Sequence, residues 1–308
     1  MVISRITANN VIYNFTHMSV PKIQKVVILG HTGFIGKNLY QWLEAGNFEV
    51  VGASSKVCNL LDYDSVKKFV SIIPDDIHVI FCSVINKHDL DSVNALHNNI
   101  AMVDNFIRAI SRKTLISFIY LSSVDVYGKA PALPINEKTL LNPSGYYGIG
   151  KVCCELLLKK QKKALQCPIS VLRLPGVYGY NDNGKSIVSH FFKRICDRKI
   201  IKINGNGTIL RDYVYVNDIC RIVEKLIDKP INVTLNLATG KSLTLKQVIY
   251  TIEQLTGISA NLSYEYIQKE NNSAGDLFFD TQILKDLYPN IRFNSLKQGC
   301  SKLCSTGC

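Results

Sequence analysis

Val26-Val27-Ile28-Leu29-Gly30-His31-Thr32-Gly33-Phe34-Ile35-Gly36 is the stretch whose reading decides the fold. An apolar run that opens on paired valines meets glycines at every third position, and an amphipathic segment from Phe34 to Leu43 follows. The pattern reads as strand, tight turn and helix. A chain that turns this sharply needs residues without a Cβ, and a helix that starts there aims free N–H groups and its positive dipole end into the turn. A pyrophosphate suits that position, with Gly30, Gly33 and Gly36 shaping the turn and Phe34 and Ile35 opening the helix beside it. A plain strand-to-helix turn would carry the same glycines.

Outward from this turn, strands alternate with helices. Phe48 to Ala53 reads as a strand, Asp62 to Ile72 as a helix, Ile77 to Cys82 as a strand, Asp89 to Ile110 as a long helix and Leu115 to Leu121 as a strand. This alternation predicts an α/β fold built on a doubly wound, parallel, Rossmann-like sheet, with ligands at the carboxyl ends of its strands. The second strand ends in Ser54-Ser55-Lys56, where an NAD site usually carries an acid for the ribose hydroxyls. Hydroxyls and an ammonium accept a 2′-phosphate that a carboxylate repels, so NADP(H) is favoured and NAD(H) stays possible. An ordinary polar loop is the alternative.

The fourth strand leads into Leu121-Ser122-Ser123-Val124-Asp125-Val126-Tyr127-Gly128, and Tyr147 and Lys151 follow within Asn142 to Lys151. Ser144 is the expected N-cap of a helix running through Val152 and Leu156 to Leu158. Four residues apart on that helix, Tyr147 and Lys151 share a face. Gly148 and Gly150 weaken it by about 1 kcal/mol each relative to alanine, which suggests that something approaches closely there. A phenol has an unperturbed pKa of about 10, and a neighbouring ammonium lowers it. With Ser123 sharing the hydrogen bond, Tyr147 could exchange a proton with an alcohol or ketone oxygen while a nicotinamide exchanges hydride. A surface helix face would show the same Tyr-Lys spacing.

The second half is consistent with a smaller α/β lobe. Lys185 to Arg198 and Asp218 to Ile227 read as helices, Ile200 to Ile203 and Tyr213 to Val216 as short strands. Arg211 suits bidentate binding of a phosphate, or an ion pair with Asp212 or a neighbour. The expected organisation is an extension over 1–23, a dinucleotide-binding domain over 24–175 to which later segments return, a mainly substrate-binding lobe over 176–295, and a tail over 296–308.

With 308 residues and 47% hydrophobic content the chain can bury a full core. Apolar runs are too short for a membrane span, the N-terminal stretch lacks a signal-peptide core, and a cytoplasmic protein is expected. The net charge of +12 is spread along the chain, which suits an anionic ligand and does not suggest nucleic acid. Its ten cysteines are scattered without a Cys-x-x-Cys pair and read as reduced thiols. Cys300, Cys304 and Cys308 lack a histidine or acidic companion, so no metal is expected. His31, His78, His88, His97 and His190 match no ligand spacing and read as structural or surface residues.

On these motifs the chain resembles the extended short-chain dehydrogenase/reductase family, also called the NAD-dependent epimerase/dehydratase family, over about residues 24 to 290. The resemblance rests on Gly30, Gly33 and Gly36, the Ser123 run, Tyr147 with Lys151, and Asn99. It extends to Leu172 to Gly179, to Asn204 to Thr208 and to Arg211 to Asp218. It implies a nucleotide-sugar substrate whose diphosphate is contacted by Arg211. It also implies further cofactor contacts at Leu61, Asp62, Ser83, Asn99, Pro175 and Val177, and substrate contacts at Ser123, Asp125 and Lys269.

The departures narrow the reaction. Sugar-nucleotide 4,6-dehydratases carry Asp-Glu where this chain has Val124 and Asp125. The short link Cys58 to Asp62 is similar to that of NADPH-using 4-keto-sugar reductases. The epimerising cysteine and histidine found among those would fall at about Val124 and Ser186. A family asparagine is Gly176 here, and a second arginine is replaced by Asn272 or Ser273, with Lys269 nearby. The resemblance therefore implies NADPH-dependent reduction of a nucleotide-linked 4-keto-hexose at C4, with a 4-epimerase as the alternative and a catalytically silent NADP(H) sensor as a reading of another class. It also implies a homodimer paired through the long helix and the Tyr-Lys helix, where Val152, Leu156 and Leu157 face either the partner or the sheet.

Overall fold

Lys25–Leu29 (β1) begins the order in a computed structural model that describes residues 23–86, 90–129, 132–265 and 275–304. Phe34–Ala45 (α1) follows, then Glu49–Ala53 (β2), Tyr63–Ile72 (α2) and Ile77–Phe81 (β3). The half closes with Val93–Ile110 (α3), Leu115–Ser123 (β4), a short 3-10 turn at Val124–Tyr127, Tyr146–Leu165 (α4) and Ile169–Leu174 (β5). The second half runs Gly176–Tyr178 (β6), Ile187–Cys196 (α5), Ile201–Asn204 (β7), Tyr213–Tyr215 (β8), Val216–Asp228 (α6) and Val233–Asn236 (β9). Leu245–Thr256 (α7), Leu262–Glu265 (β10), Gln282–Leu287 (α8) and Leu296–Cys304 (α9) complete it.

The main sheet has the order β2-β1-β3-β4-β5-β9, and every pairing in it is parallel. The chain leaves β1 toward β2 on one side and returns to β3 on the other. Their carboxyl ends therefore form the crevice where such sheets take ligands. Successive residues of β1 face opposite sides. Val27 and Leu29 join Phe69, Phe81, Phe106 and Phe118 under α2, α3 and α4, whereas Val26 and Ile28 join Leu39, Leu43, Ile222 and Leu226 under α1 and α6. Burial on both faces explains why these strands read as continuous apolar runs, and each fully buried large aliphatic contributes about 1.5–3 kcal/mol.

Beyond this sheet, β6 pairs with β8 and β7 with β10, over a third cluster that holds Tyr178, Phe191, Tyr213 and Ile252. Residues 233–236 return to the main sheet as its edge strand. Among the described residues no helix is long and apolar enough to cross a membrane.

Several expectations are corrected. The long helix begins at Val93, because the Ser92 side chain caps it by accepting from the Ala95 N–H; the expected start, Asp89, lies outside the described residues. The Tyr-Lys helix is capped by Gly145 without a side-chain bond, not by Ser144. Its Tyr147 N–H is taken instead by Asp91 Oδ1 at 2.8 Å, a partner too far away in sequence to be read locally. Eight described cysteines are free thiols, but Cys196 is disulfide-bonded, a pairing that spacing alone does not disclose. Of the apolar residues expected on a paired surface, Val152 and Leu157 pack inward, and Leu156 is 57% exposed.

Candidate active site

Gly30 draws three strand ends together. Its N–H donates to the Ala53 carbonyl at 2.8 Å, and the Cys82 N–H donates to the Leu29 carbonyl at 2.9 Å. With φ at +84° and a Cβ position only 2.9 Å from the Ser83 backbone nitrogen, Gly30 admits no side chain. A Cβ on Gly36 would fall 2.2 Å from the Gly30 carbonyl oxygen, so the first turn of α1 sits directly on the bend. Gly33 caps α1 with no side-chain bond, and no acid stands in its first turn. The amides of Phe34 and Ile35 thus open α1 at the carboxyl ends of β1 and β2, a donor set that fits a pyrophosphate.

At the end of β2 the Ser54 carbonyl accepts from the Val57 and Cys58 N–H groups, and Ser55 and Lys56 are exposed on the turn this forms. The Asp62 carboxylate caps α2 by accepting from the Asp64 N–H at 3.0 Å, beside the exposed Leu61. Ser83 lies against Gly30. Asn99 is buried in α3 with its amide engaged on both sides, Oδ1 accepting from the Ile85 N–H at 2.7 Å and Nδ2 donating to the Ile85 carbonyl at 3.0 Å. Its part is to shape the loop after β3. Pro175 and Val177 flank Gly176, whose N–H donates to the Asp212 carbonyl at 3.1 Å and ties β5 to the second half.

Ser123 ends β4. Its hydroxyl donates to Asp125 Oδ2 at 2.9 Å and accepts from the Asp125 N–H at 3.1 Å. Tyr147, half-buried in the first turn of α4, is hydrogen-bonded to Ser123. One turn on, the buried Lys151 donates from Nζ to the Leu121 carbonyl at 2.6 Å and lies 4.8 Å from the Tyr120 ring centre and 5.7 Å from that of Tyr147. The serine, tyrosine and lysine picked out by spacing therefore meet at one strand end.

The electrostatics depart from expectation. Burial pushes the Tyr147 phenol well above its ordinary value, the Asp125 carboxylate pushes it the same way, and only the Ser123 bond opposes them. Burial also weakens the Lys151 ammonium and brings its pKa to about 8, and the net shift at the phenol stays upward. The close approaches anticipated at Gly148 and Gly150 are made by protein. A Cβ on Gly148 would lie 2.6 Å from the Asp125 carbonyl oxygen, and one on Gly150 3.2 Å from Leu96 Cδ1 of α3.

A buried network beneath the site has no local signature in the chain. Glu155, one turn beyond Lys151, accepts from the Ser122 hydroxyl at 2.5 Å and pairs with Arg173 of β5 at 2.6 Å. Arg173 also donates to the Tyr127 hydroxyl at 2.8 Å, which donates to Asn236 Oδ1 at 2.7 Å. His31 is structural, as its lack of ligand spacing implies. Its ring fills the space over Gly52, where a Cβ would lie 2.5 Å from Cγ, and stands 5.6 Å from the Tyr40 ring.

Arg211 is held by donating from Nη1 to the Leu210 and Gly275 carbonyls at 2.7 and 2.8 Å. The Asp212 carboxylate is directed elsewhere, accepting from the Thr239 N–H and hydroxyl and from the Gly240 N–H. Burial lowers the pKa of the Arg211 guanidinium, and the charges of Tyr213, Asp276 and Asp125 oppose that shift. Lys269, with Asn272 and Ser273, lies outside the described residues.

Residues 26–238 match the family described as NAD dependent epimerase/dehydratase. An uncharacterised UDP-glucose epimerase of Bacillus subtilis is 25% identical over 303 residues, covering 89% of this chain and 95% of its own length. The crystal structure of a UDP-glucose 4-epimerase of Thermotoga maritima with UDP-glucose superposes with a TM-score of 0.80 at 21% identity, covering 92% of this chain and 99% of that one. The structure of RMD from Pseudomonas aeruginosa complexed with NADPH gives 0.79 at 20% identity, covering 92% and 97%.

Proposed function

Because the chain belongs to the NAD dependent epimerase/dehydratase family, whose members modify nucleotide sugars with NAD(P), we propose that it is an NADPH-dependent reductase acting at C4 of a nucleotide-linked 4-keto-hexose. The observation that carries this reading is the carboxylate-free turn Ser54-Ser55-Lys56 at the end of β2, which favours an exchangeable NADPH over the NAD that an epimerase retains. The Tyr147 hydroxyl, bonded to Ser123, is the proton donor for the carbonyl oxygen. A 4-epimerase uses the same residues, with Tyr147 first taking and then returning a proton.

When bound, a nicotinamide dinucleotide supplies hydride chemistry at the sugar carbon. The open N-terminus of α1 would hold its pyrophosphate, and the carboxylate-free turn Ser54 to Lys56 supports NADP(H) over NAD(H). Tyr147 gives its proton to the sugar O4 and recovers one from solvent. Lys151 and Ser123 stabilise the phenolate in between. Ser123 orients the sugar oxygen, and Arg211 contacts the diphosphate. In this assignment 24–175, with returning segments, carries the cofactor, 176–295 mainly the substrate, and α3 with α4 the surface of a homodimer.

The test is to supply purified protein with NADPH and a set of nucleotide-linked 4-keto-6-deoxyhexoses, and separately with UDP-glucose. Consumption of NADPH with a keto sugar supports the reductase. Retained NAD together with interconversion of UDP-glucose and UDP-galactose, without net oxidation, replaces it with the epimerase.

A further inference from the structure

We propose that Tyr120 is a positioning residue for Lys151: the face of its ring holds the ammonium at the end of β4 and helps to keep it charged. The inference rests on the Tyr147 and Lys151 chemistry proposed above and names the group that maintains its cation.

Lys151 is 5% exposed and Tyr120 2%, so their contact is made away from water. An ammonium has three N–H groups to place. One goes to the Leu121 carbonyl at 2.6 Å. The nitrogen also stands over the Tyr120 ring, 4.8 Å from its centre, with the centre of the Tyr147 ring at 5.7 Å. A ring face carries negative potential, and its attraction for a cation grows when both are desolvated. Tyr120 and Leu121 are consecutive on β4, so the ring of one and the carbonyl of the other form a single cradle for the charge.

The ring is itself held in place. It stands 5.9 Å from the Phe81 ring on the neighbouring strand, and its hydroxyl is bonded to Cys154. Cys154 lies three residues beyond Lys151 on the same face of α4 and donates from Sγ to the Asn99 carbonyl at 3.7 Å. Tyr120 is therefore gripped by the helix turn whose ammonium it faces.

Other groups near the ammonium lend it little. Burial pushes the Cys82 thiol, just past β3, up to about 12 and raises that of Cys154, so both are neutral at pH 7. The Tyr147 phenol is neutral too. Glu155 of α4 is paired with Arg173, and Asp125 of the 3-10 turn takes the Ser123 hydroxyl. Burial meanwhile brings the lysine to about 8. At pH 7 that leaves a margin of roughly one pH unit, and the phenolate formed by proton transfer needs the charged lysine beside it.

The experiment needs no substrate. Tyr120→Phe keeps the ring, and di- and trifluorophenylalanine at the same position keep its shape while draining its face of negative potential. Lysine is isotope-labelled at Cε, the Lys151 resonance is assigned by its absence from Lys151→Met, and NMR follows its titration. The midpoint should stay within about 0.3 pH units in Tyr120→Phe and fall stepwise with added fluorine, by about half a unit or more with three. If Tyr120→Phe fails to fold, difluorotyrosine repeats the comparison with the hydroxyl retained. A midpoint unmoved by fluorination, or one that falls as far in Tyr120→Phe as in the fluorinated proteins, overturns the inference. Absence of keto-sugar reduction overturns the reductase reading and leaves this measurement intact.

Discussion

The Lys151 ammonium donates to the Leu121 carbonyl oxygen at 2.6 Å, locking the helix that carries Tyr147 onto the strand end that presents Ser123. Burial there brings the lysine pKa from 10.5 to about 8. The protein therefore carries an ammonium it would fold better without.

This gives a sign for stability. Between pH 8 and 10.5 the unfolded chain binds more protons at this position than the folded one, so the Lys151 contribution to stability rises with pH across that window. Lys151→Met relieves the cost of charge burial at neutral pH and leaves the Leu121 carbonyl without its donor. A net gain of roughly 1–2 kcal/mol at pH 7 is expected, fading toward pH 10, together with loss of turnover. Urea titrations of both proteins across that range check it.

Glu155 and Arg173 form a pair whose side chains are only 8% and 6% exposed. Arg173→Met strands a buried carboxylate and should cost roughly 3–5 kcal/mol, whereas Arg173→Met combined with Glu155→Met should recover most of it. A double-mutant cycle by thermal unfolding measures the coupling.

The turn after β2 offers a change of cofactor preference. Ser54→Asp places a carboxylate where the ribose is expected, so NADPH affinity should fall by roughly ten-fold or more while NADH affinity holds or improves. Fluorescence titration with each cofactor reads this directly.

Gly36→Ala drives a methyl to within 2.2 Å of the Gly30 carbonyl oxygen, so the turn or the helix has to move. A loss of about 1–3 kcal/mol in stability is expected, with weaker binding of both cofactors alike. Equal weakening distinguishes this change from Ser54→Asp.

What was legible in the chain is what local pattern controls. The strand, glycine turn and helix at Val26 to Leu43 need only apolar periodicity and missing Cβ atoms, and the meeting of Ser123, Tyr147 and Lys151 follows once the strand and helix are placed. Residues joined by tertiary packing left no such trace. Asp91 caps α4 from ahead of α3, Arg173 reaches Glu155 across two elements, and Gly52 makes room for His31 from a neighbouring strand. The sign of the shift at Tyr147 was misread for the same reason. A lysine at i+4 is visible in the chain, but the burial that raises the phenol and the Asp125 carboxylate that adds to it are not.

The central claim is most directly tested by isotope transfer. NADPH carrying deuterium at the reactive position of its nicotinamide is supplied with a nucleotide-linked 4-keto-6-deoxyhexose, and the product sugar is read by mass spectrometry. The account predicts deuterium at C4 with one NADPH consumed per product, and loss of this transfer by roughly 100-fold or more in Tyr147→Phe with NADPH binding retained. A sugar epimerised at C4 without deuterium from the cofactor, or transfer unaffected by Tyr147→Phe, would contradict it.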